Sequence, residues 1–248
     1  MLAAFFYRYW RVLLRSPADT IAMFIRPLLS GLLLLVFAHT LSGFQSLGGF
    51  MIVSAMTANV ITNTVLGAAY ESLMDLQDSK RELIELAPGG LRSYSLVQAL
   101  TQGGIATLQS ALVGAVLLPW TNDKLRLDLV FCVASLLLGI TVVAVAACTC
   151  QHSVVRGSYL GVSFAIGIVL AFSGIFYPVN MLPLWARLVS SANPVTYLVG
   201  GIRSGFGALD TSRWPGLLYA GAWAGVSVVL FLRASCGHDL HSDHLRST

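Results

Sequence analysis

The chain is a succession of six apolar stretches, at about 20–41, 50–74, 94–118, 129–150, 157–177 and 215–232, joined by short polar or charged links. That alternation leaves few folds open. A helix needs roughly 20 apolar residues to cross the hydrocarbon of a bilayer. Lipid offers the backbone no hydrogen bonds, so only helices and closed barrels span it. Apolar runs of this length read as helices. Composition agrees: 56% of the 248 residues are hydrophobic and 10% charged, against about a quarter charged in soluble domains. The expected fold is therefore a single all-α integral membrane domain over residues 1–248, with six transmembrane helices.

The links carry the remaining information. Residues 3–16 place Arg8, Arg11 and Arg15 at helical spacing opposite Phe5, Phe6, Tyr9, Val12 and Leu13, the pattern of an amphipathic helix lying in the membrane interface. The apolar run that follows is too long, and the arginine–aromatic face too organised, for a signal peptide. Residues 71–92 hold the densest charge of the chain, including Asp75, Asp78, Lys80, Arg81, Glu82 and Glu85, with Leu76, Leu83 and Leu86 as a narrow apolar stripe and Pro88-Gly89-Gly90 as a stop. A short charged helix at about 78–88 is too polar for hydrocarbon.

With the amino terminus inside, ten of the 15 Lys and Arg residues fall on the cytoplasmic side and five outside. Positive charge marks the cytoplasmic side, so both termini and the charged helix are expected there, in a bacterial plasma (inner) membrane.

The second and third stretches are unusually polar. Asn59 and Asn63, with Thr57, Thr62 and Thr64, lie in one, and Gln98, Gln102 and Gln109 in the other. Polar side chains within spans either bridge helices or line a cavity. Interhelical hydrogen bonding is the plainer role; a wall of a substrate path is the functional one.

The fifth stretch breaks in an unusual way. Ser173-Gly174-Ile175-Phe176-Tyr177-Pro178 leads to Pro183, then to Asn193-Pro194-Val195-Thr196-Tyr197 and Arg203. Proline removes a backbone donor and clashes with the preceding turn, so no continuous helix passes through 177–183. Broken backbone near a membrane must be satisfied by the protein itself. A folded re-entrant element over about 178–208 is expected, in two short helices turning at Asn193-Pro194.

These residues resemble the signature region of the ABC-2 family of transporter permeases, and they stand where that family has it, between the fifth and sixth spans. The resemblance implies a permease subunit of an ATP-driven exporter. Ser173, Gly174, Tyr177, Pro178, Pro183, Asn193, Pro194, Tyr197 and Arg203 would then form an outer gate. Residues 78–88 would be a coupling helix docking an ATPase through Asp78, Arg81, Glu82, Leu83, Glu85, Leu86 and Pro88, although the glycine usual before the acidic position is absent. The implied partners are two copies of an ABC ATPase, a second permease subunit, identical or a sister chain, and membrane lipid. The implied cargo is an amphipathic drug-like, lipid-like or glycan-lipid compound.

Other functions find less support. The sequence has no G-x-x-x-x-G-K-[ST], so ATP and magnesium are expected on the partner, with no cofactor or catalytic residue on this chain. Its net charge of +4 is scattered and makes no nucleic-acid surface. Cys132, Cys148, Cys150 and Cys236 form no C-x-x-C pair and read as packing residues. No metal site is expected: the histidines of the tail, His238, His241 and His244, sit in what reads as a disordered end. Six spans alone would also serve an ATP-independent pore or an assembly scaffold.

Overall fold

A computed structural model of the chain describes residues 17–40, 48–77, 90–120, 128–156, 159–205 and 213–246. Among these residues there is no strand. The helices are α1 (Pro17–Thr40), α2 (Gly48–Gln77), α3 (Gly90–Leu117), α4 (Leu129–Arg156), α5 (Leu160–Ala171), α6 (Leu184–Ala192), α7 (Pro194–Ser204) and α8 (Arg213–Arg246), with 3-10 turns at Leu118–Trp120 and Val179–Met181.

Four helical segments are long and apolar enough to cross a membrane: Gly49–Asp75, Gly90–Leu117, Leu129–Gln151 and Trp214–Arg233. Two shorter apolar segments, Thr20–Leu33 and Leu160–Ala171, lie in α1 and α5. The helix of the fifth stretch stops at Ala171 instead of running to Tyr177, because the backbone at Ser173 folds back onto Leu170 and Gly174 takes φ +67°. α8 continues through the tail to Arg246, where a disordered end was expected; no proline follows Pro215 to stop it.

α4 is the centre, packed against α2, α3, α7 and α8. Its buried stripe, Val130, Ala134, Leu138, Val142 and Ala146, repeats every four residues and so lies along one face. Leu129, Leu136 and Ile140 stand exposed on the rest of the helix. α3 is more sharply sorted, and in the sense opposite to a soluble helix. Leu96, Leu100, Leu108, Leu112 and Val116 are exposed, while Ser95, Gln98, Thr101, Gln102, Gln109 and Ser110 are buried. Leucine gains nothing by leaving a lipid solvent, so polar and small residues take the helix contacts.

Those contacts repair a proline. Pro27 lies inside α1 and has no N–H to give the carbonyl four residues back, at Met23. Gln109 of α3 donates its Nε2–H to that Met23 carbonyl at 3.1 Å. Its Oε1 in turn accepts from Asn63 at 2.9 Å and lies 3.5 Å from the Asn59 amide nitrogen. Asn63 also donates to Asn59 Oδ1 at 2.7 Å, and Asn59 to Ser110 Oγ at 2.9 Å. One polar chain thus fastens α1, α2 and α3.

Between α7 and α4 the spacing is tighter still. A Cβ on Gly201 would stand 2.6 Å from the Ala134 Cβ, which has no rotamer by which to retreat. Gly201→Ala should lower the stability of the detergent-solubilised protein by about 1–3 kcal/mol, the usual cost of overpacking, read as a lower thermal midpoint. Gly225→Ala, where an added Cβ meets open space, should leave the midpoint unchanged.

Candidate functional site

A helix that ends leaves its last carbonyls without partners. In an apolar medium each unsatisfied group costs several kcal/mol. α5 ends at Ala171 and the chain does not resume a helix until Leu184, so residues 168–183 set a satisfaction problem. The signature residues solve it.

Phe172 N–H donates to Ile168 O, and Ser173 donates to Leu170 O from both its amide (3.3 Å) and its hydroxyl (2.7 Å). The Val169 carbonyl, left without its i+4 amide, receives the Asn193 Nδ2–H at 2.8 Å. Thr196 Oγ1 lies 3.4 Å from Phe172 O and donates more closely, at 2.9 Å, to Ser190 O.

Gly174 holds φ +67°, and a Cβ there would lie 2.6 Å from Val179 Cγ2. Both facts demand glycine. The turn it makes presents the Gly174 and Ile175 carbonyls to Arg203, whose Nη2 donates to them at 2.9 and 2.7 Å. The guanidinium also lies 3.2 Å from Ser54 Oγ and sits over the Phe50 ring, 3.7 Å from its centroid. Ser54, fully buried near the start of α2, donates to Ile175 O as well. Arg203 of α7 therefore binds the broken end of α5 to α2.

Pro178 and Pro183, both extended, bracket the 3-10 turn Val179–Met181. Arg187 donates from Nη2 to Asn180 O at 2.8 Å and to Leu182 O at 3.3 Å. Asn193 caps α7 by accepting from Val195 N–H at 3.1 Å, with Pro194 in the first turn. This is the position where a proline's missing donor is harmless. Tyr197 and Tyr219 donate to Ser191 O and Ala192 O, each at 2.8 Å, and pack edge to face at 5.4 Å. Tyr177, between Phe176 and Pro178 in the turn, is half-buried.

The outcome is two short helices, α6 and α7, meeting at Asn193-Pro194. α6 touches the body through small residues, Ala186 and Ser190, and turns Leu184, Trp185 and Leu188 outward. Trp185 packs edge to face on Phe172 at 6.0 Å.

Asn59, Asn63 and Gln109 are brought together, but as ties among α1, α2 and α3 rather than along an open wall. Gln98 and Gln102, one turn apart, are buried on the same face of α3. Arg8, Arg11 and Arg15 of the interfacial helix and Asp78, Arg81, Glu82, Leu83, Glu85, Leu86 and Pro88 of the charged segment lie outside the described residues.

Sequence reasoning missed Arg187 as a cap and did not foresee Ser54, Phe50 or Asp128. Asp128 Oδ1 accepts from Phe131 N–H at 2.7 Å and starts α4, and Ser204 Oγ of α7 lies 3.4 Å from both its carboxylate oxygens. A serine and an aromatic opening an apolar run carry no distinctive signal. Arg187 did carry one, since an arginine four residues past Pro183 is placed to reach the carbonyls before it.

Arg203→Ala should lower thermal stability in detergent by about 1.5–3 kcal/mol, the worth of hydrogen bonds to a charged group. Arg203→Lys should recover less than half of that, because an ammonium cannot match a planar guanidinium stacked on a ring. Wild-type stability in Arg203→Ala would remove this residue from the fastening of the turn.

No curated protein matches the chain. The profile of the family described as ABC-2 type transporter matches residues 2–206, a span that takes in α1 to α7 and the charged segment and ends before α8. The chain belongs to the ABC-2 type transporter family and is a multi-pass membrane protein of the permease kind.

Proposed function

We propose that this chain is the membrane-spanning subunit of an ATP-binding-cassette exporter. It would move an amphipathic drug-like, lipid-like or glycan-lipid compound across a bacterial inner membrane. Family membership over residues 2–206 carries this reading. In it, α1 and α5 join the four long apolar segments to make six spans, with both termini cytoplasmic.

The two ends of the bundle then have different tasks. At the cytoplasmic end, residues 78–88 dock an ATPase through Asp78, Arg81, Glu82, Leu83, Glu85, Leu86 and Pro88. The interfacial helix, with Arg8, Arg11 and Arg15 toward the headgroups, moves with it. ATP and magnesium belong to that partner, present in two copies beneath two permease subunits. At the outer end, the turn after α5 with α6 and α7 forms the gate.

ATP drives the cycle only if the closed ATPase dimer binds one permease state better than the other, since a ligand shifts an equilibrium by its differential affinity alone. The gate suits such a shift. Its carbonyls are held by side chains from α7 and α2, which can exchange partners without unfolding a helix. Asn59, Asn63 and Gln109 act as helix ties in the conformation described. A role along the substrate path, with Gln98 and Gln102, requires α2 and α3 to part.

Two measurements test the reading. Glu82→Lys with Glu85→Lys should cut recovery of the ATPase in a pull-down from solubilised membranes; undiminished recovery would move the docking segment elsewhere. A cysteine at exposed Asn180, in a chain with Cys132→Ser, should react with a membrane-impermeant maleimide in intact cells. Reaction only after permeabilisation would invert the topology.

A further inference from the structure

A second polar cluster lies at the opposite end of the bundle from Arg203, where α2 ends and α3 begins, immediately flanking residues 78–89. Tyr94 donates its hydroxyl to Asp75 Oδ2 at 2.8 Å. Gln151 donates from Nε2 to Ser95 Oγ at 3.1 Å. Ser72 Oγ meets Cys150 Sγ and donates to Ala68 O at 2.6 Å. All six side chains are buried; Asp75 is 4% exposed and Tyr94 2%.

The contacts close a triangle. Tyr94–Asp75 ties α3 to α2, Gln151–Ser95 ties α4 to α3, and Ser72–Cys150 ties α2 to α4. Each side joins buried polar groups, and hydrogen bonds within one such network support one another. The ends of the three helices are thereby made to move together.

Two of these helices also reach the gate. From Asp75 to Ser54 along α2, and from Gln151 to Asp128 along α4, the rise of about 1.5 Å per residue gives roughly 30–35 Å. At their far ends both meet α7, at adjacent residues. Arg203 lies 3.2 Å from Ser54 Oγ of α2, and Ser204 lies 3.4 Å from the Asp128 carboxylate that starts α4. Gly201 of α7 packs against Ala134 of α4 with no room for a methyl group. A tilt of the triangle therefore reaches one place on α7 through two helices.

We propose that Ser72, Asp75, Tyr94, Ser95, Cys150 and Gln151 form the joint through which displacement of residues 78–89 reaches α7 and the gate, by way of α2 and α4. They are positioning residues: none needs to touch cargo or nucleotide. The inference rests on the reading of 78–88 as the segment that docks an ATPase. Coupling of this kind requires an element with two arrangements that both sites bias, and the Arg203 turn is that element.

The test uses the complex of this chain with its ATPase, reconstituted in lipid, with Asn180→Cys as reporter and Cys132→Ser to remove background. Maleimide reactivity at position 180 is read without nucleotide and after trapping with ATP and vanadate. In the parent, the two rates should differ severalfold. Tyr94→Phe removes only a hydroxyl and should bring the ratio toward one while the ATPase still co-purifies. Gln151→Ala, breaking a different side of the triangle, should do the same and carries the test if Tyr94→Phe fails to fold. Asp75→Asn keeps an oxygen that accepts the Tyr94 bond and should preserve the parental ratio. Variants at Tyr94 and Gln151 that hold their ATPase and keep the full nucleotide response would overturn the joint alone. A parent that binds no ATPase, or whose reporter ignores nucleotide, would overturn the docking reading and the joint with it.

Discussion

The fold depends on what becomes of a carbonyl oxygen when its helix no longer supplies a donor. In water such a group is hydrated at little cost; within apolar surroundings only another part of the chain can serve it. Among the described residues, two interruptions show this, Pro27 within α1 and the end of α5 after Ala171. Both interruptions are met the same way, by polar side chains from elsewhere in the chain. Gln109 serves Met23 O; Asn193 serves Val169 O; Arg203 serves Gly174 O and Ile175 O. Each repair also fixes how two helices sit against one another, so satisfying the backbone and assembling the bundle are one event.

That arrangement explains the inverted sorting of the helices. If lipid solvates leucine as well as a protein interior does, apolar burial cannot hold α2, α3 and α4 together, and close approach with hydrogen bonds must do so. The core accordingly contains Ala68, Ala99, Ala134, Ala146 and Ala147 beside Ser54, Thr64 and Gln109, while Phe164 and Leu136 remain outside. The cost is rigidity of composition at a few points. Ala134 faces Gly201 with no slack, and a helix seam built this way accepts polar exchange more readily than added volume.

Much of this was legible in the sequence, for identifiable reasons. Apolar runs of span length located the long helices, because period and length are local properties. The prolines and Asn193-Pro194 located the turn and its two short helices, because each restricts its own backbone. What stayed hidden is pairing across distance. Arg203 and Ser54 are separated by 149 positions, and nothing local in either names the other. The Asp75 triangle was hidden differently. Asp75 reads as one charge among several in a polar segment, Tyr94 as the edge of a span and Cys150 as a small packing residue; each description is sound taken singly, and only the convergence of three helix ends makes them a unit. Gln109 was noticed for its polarity, but its partner became evident only once Pro27 was seen to strand a carbonyl four residues before it.

The manner in which α6 is attached has its own consequence. Leu184, at 74% exposure, and Leu188, at 64%, point away from the body, and Trp185 is 63% exposed despite its edge contact with Phe172, so little apolar area holds this helix in place. It is retained instead by a small number of discrete ties at its two ends: Arg187 at the start, and Thr196, Tyr197 and Tyr219 on its last carbonyls. Attachment by area weakens gradually as surfaces slide apart. Attachment by a few directional bonds holds until they are exchanged and then releases the helix as one piece. α6 is thus a cooperative unit smaller than the domain that carries it, and its attachment is independent of the seam around α4.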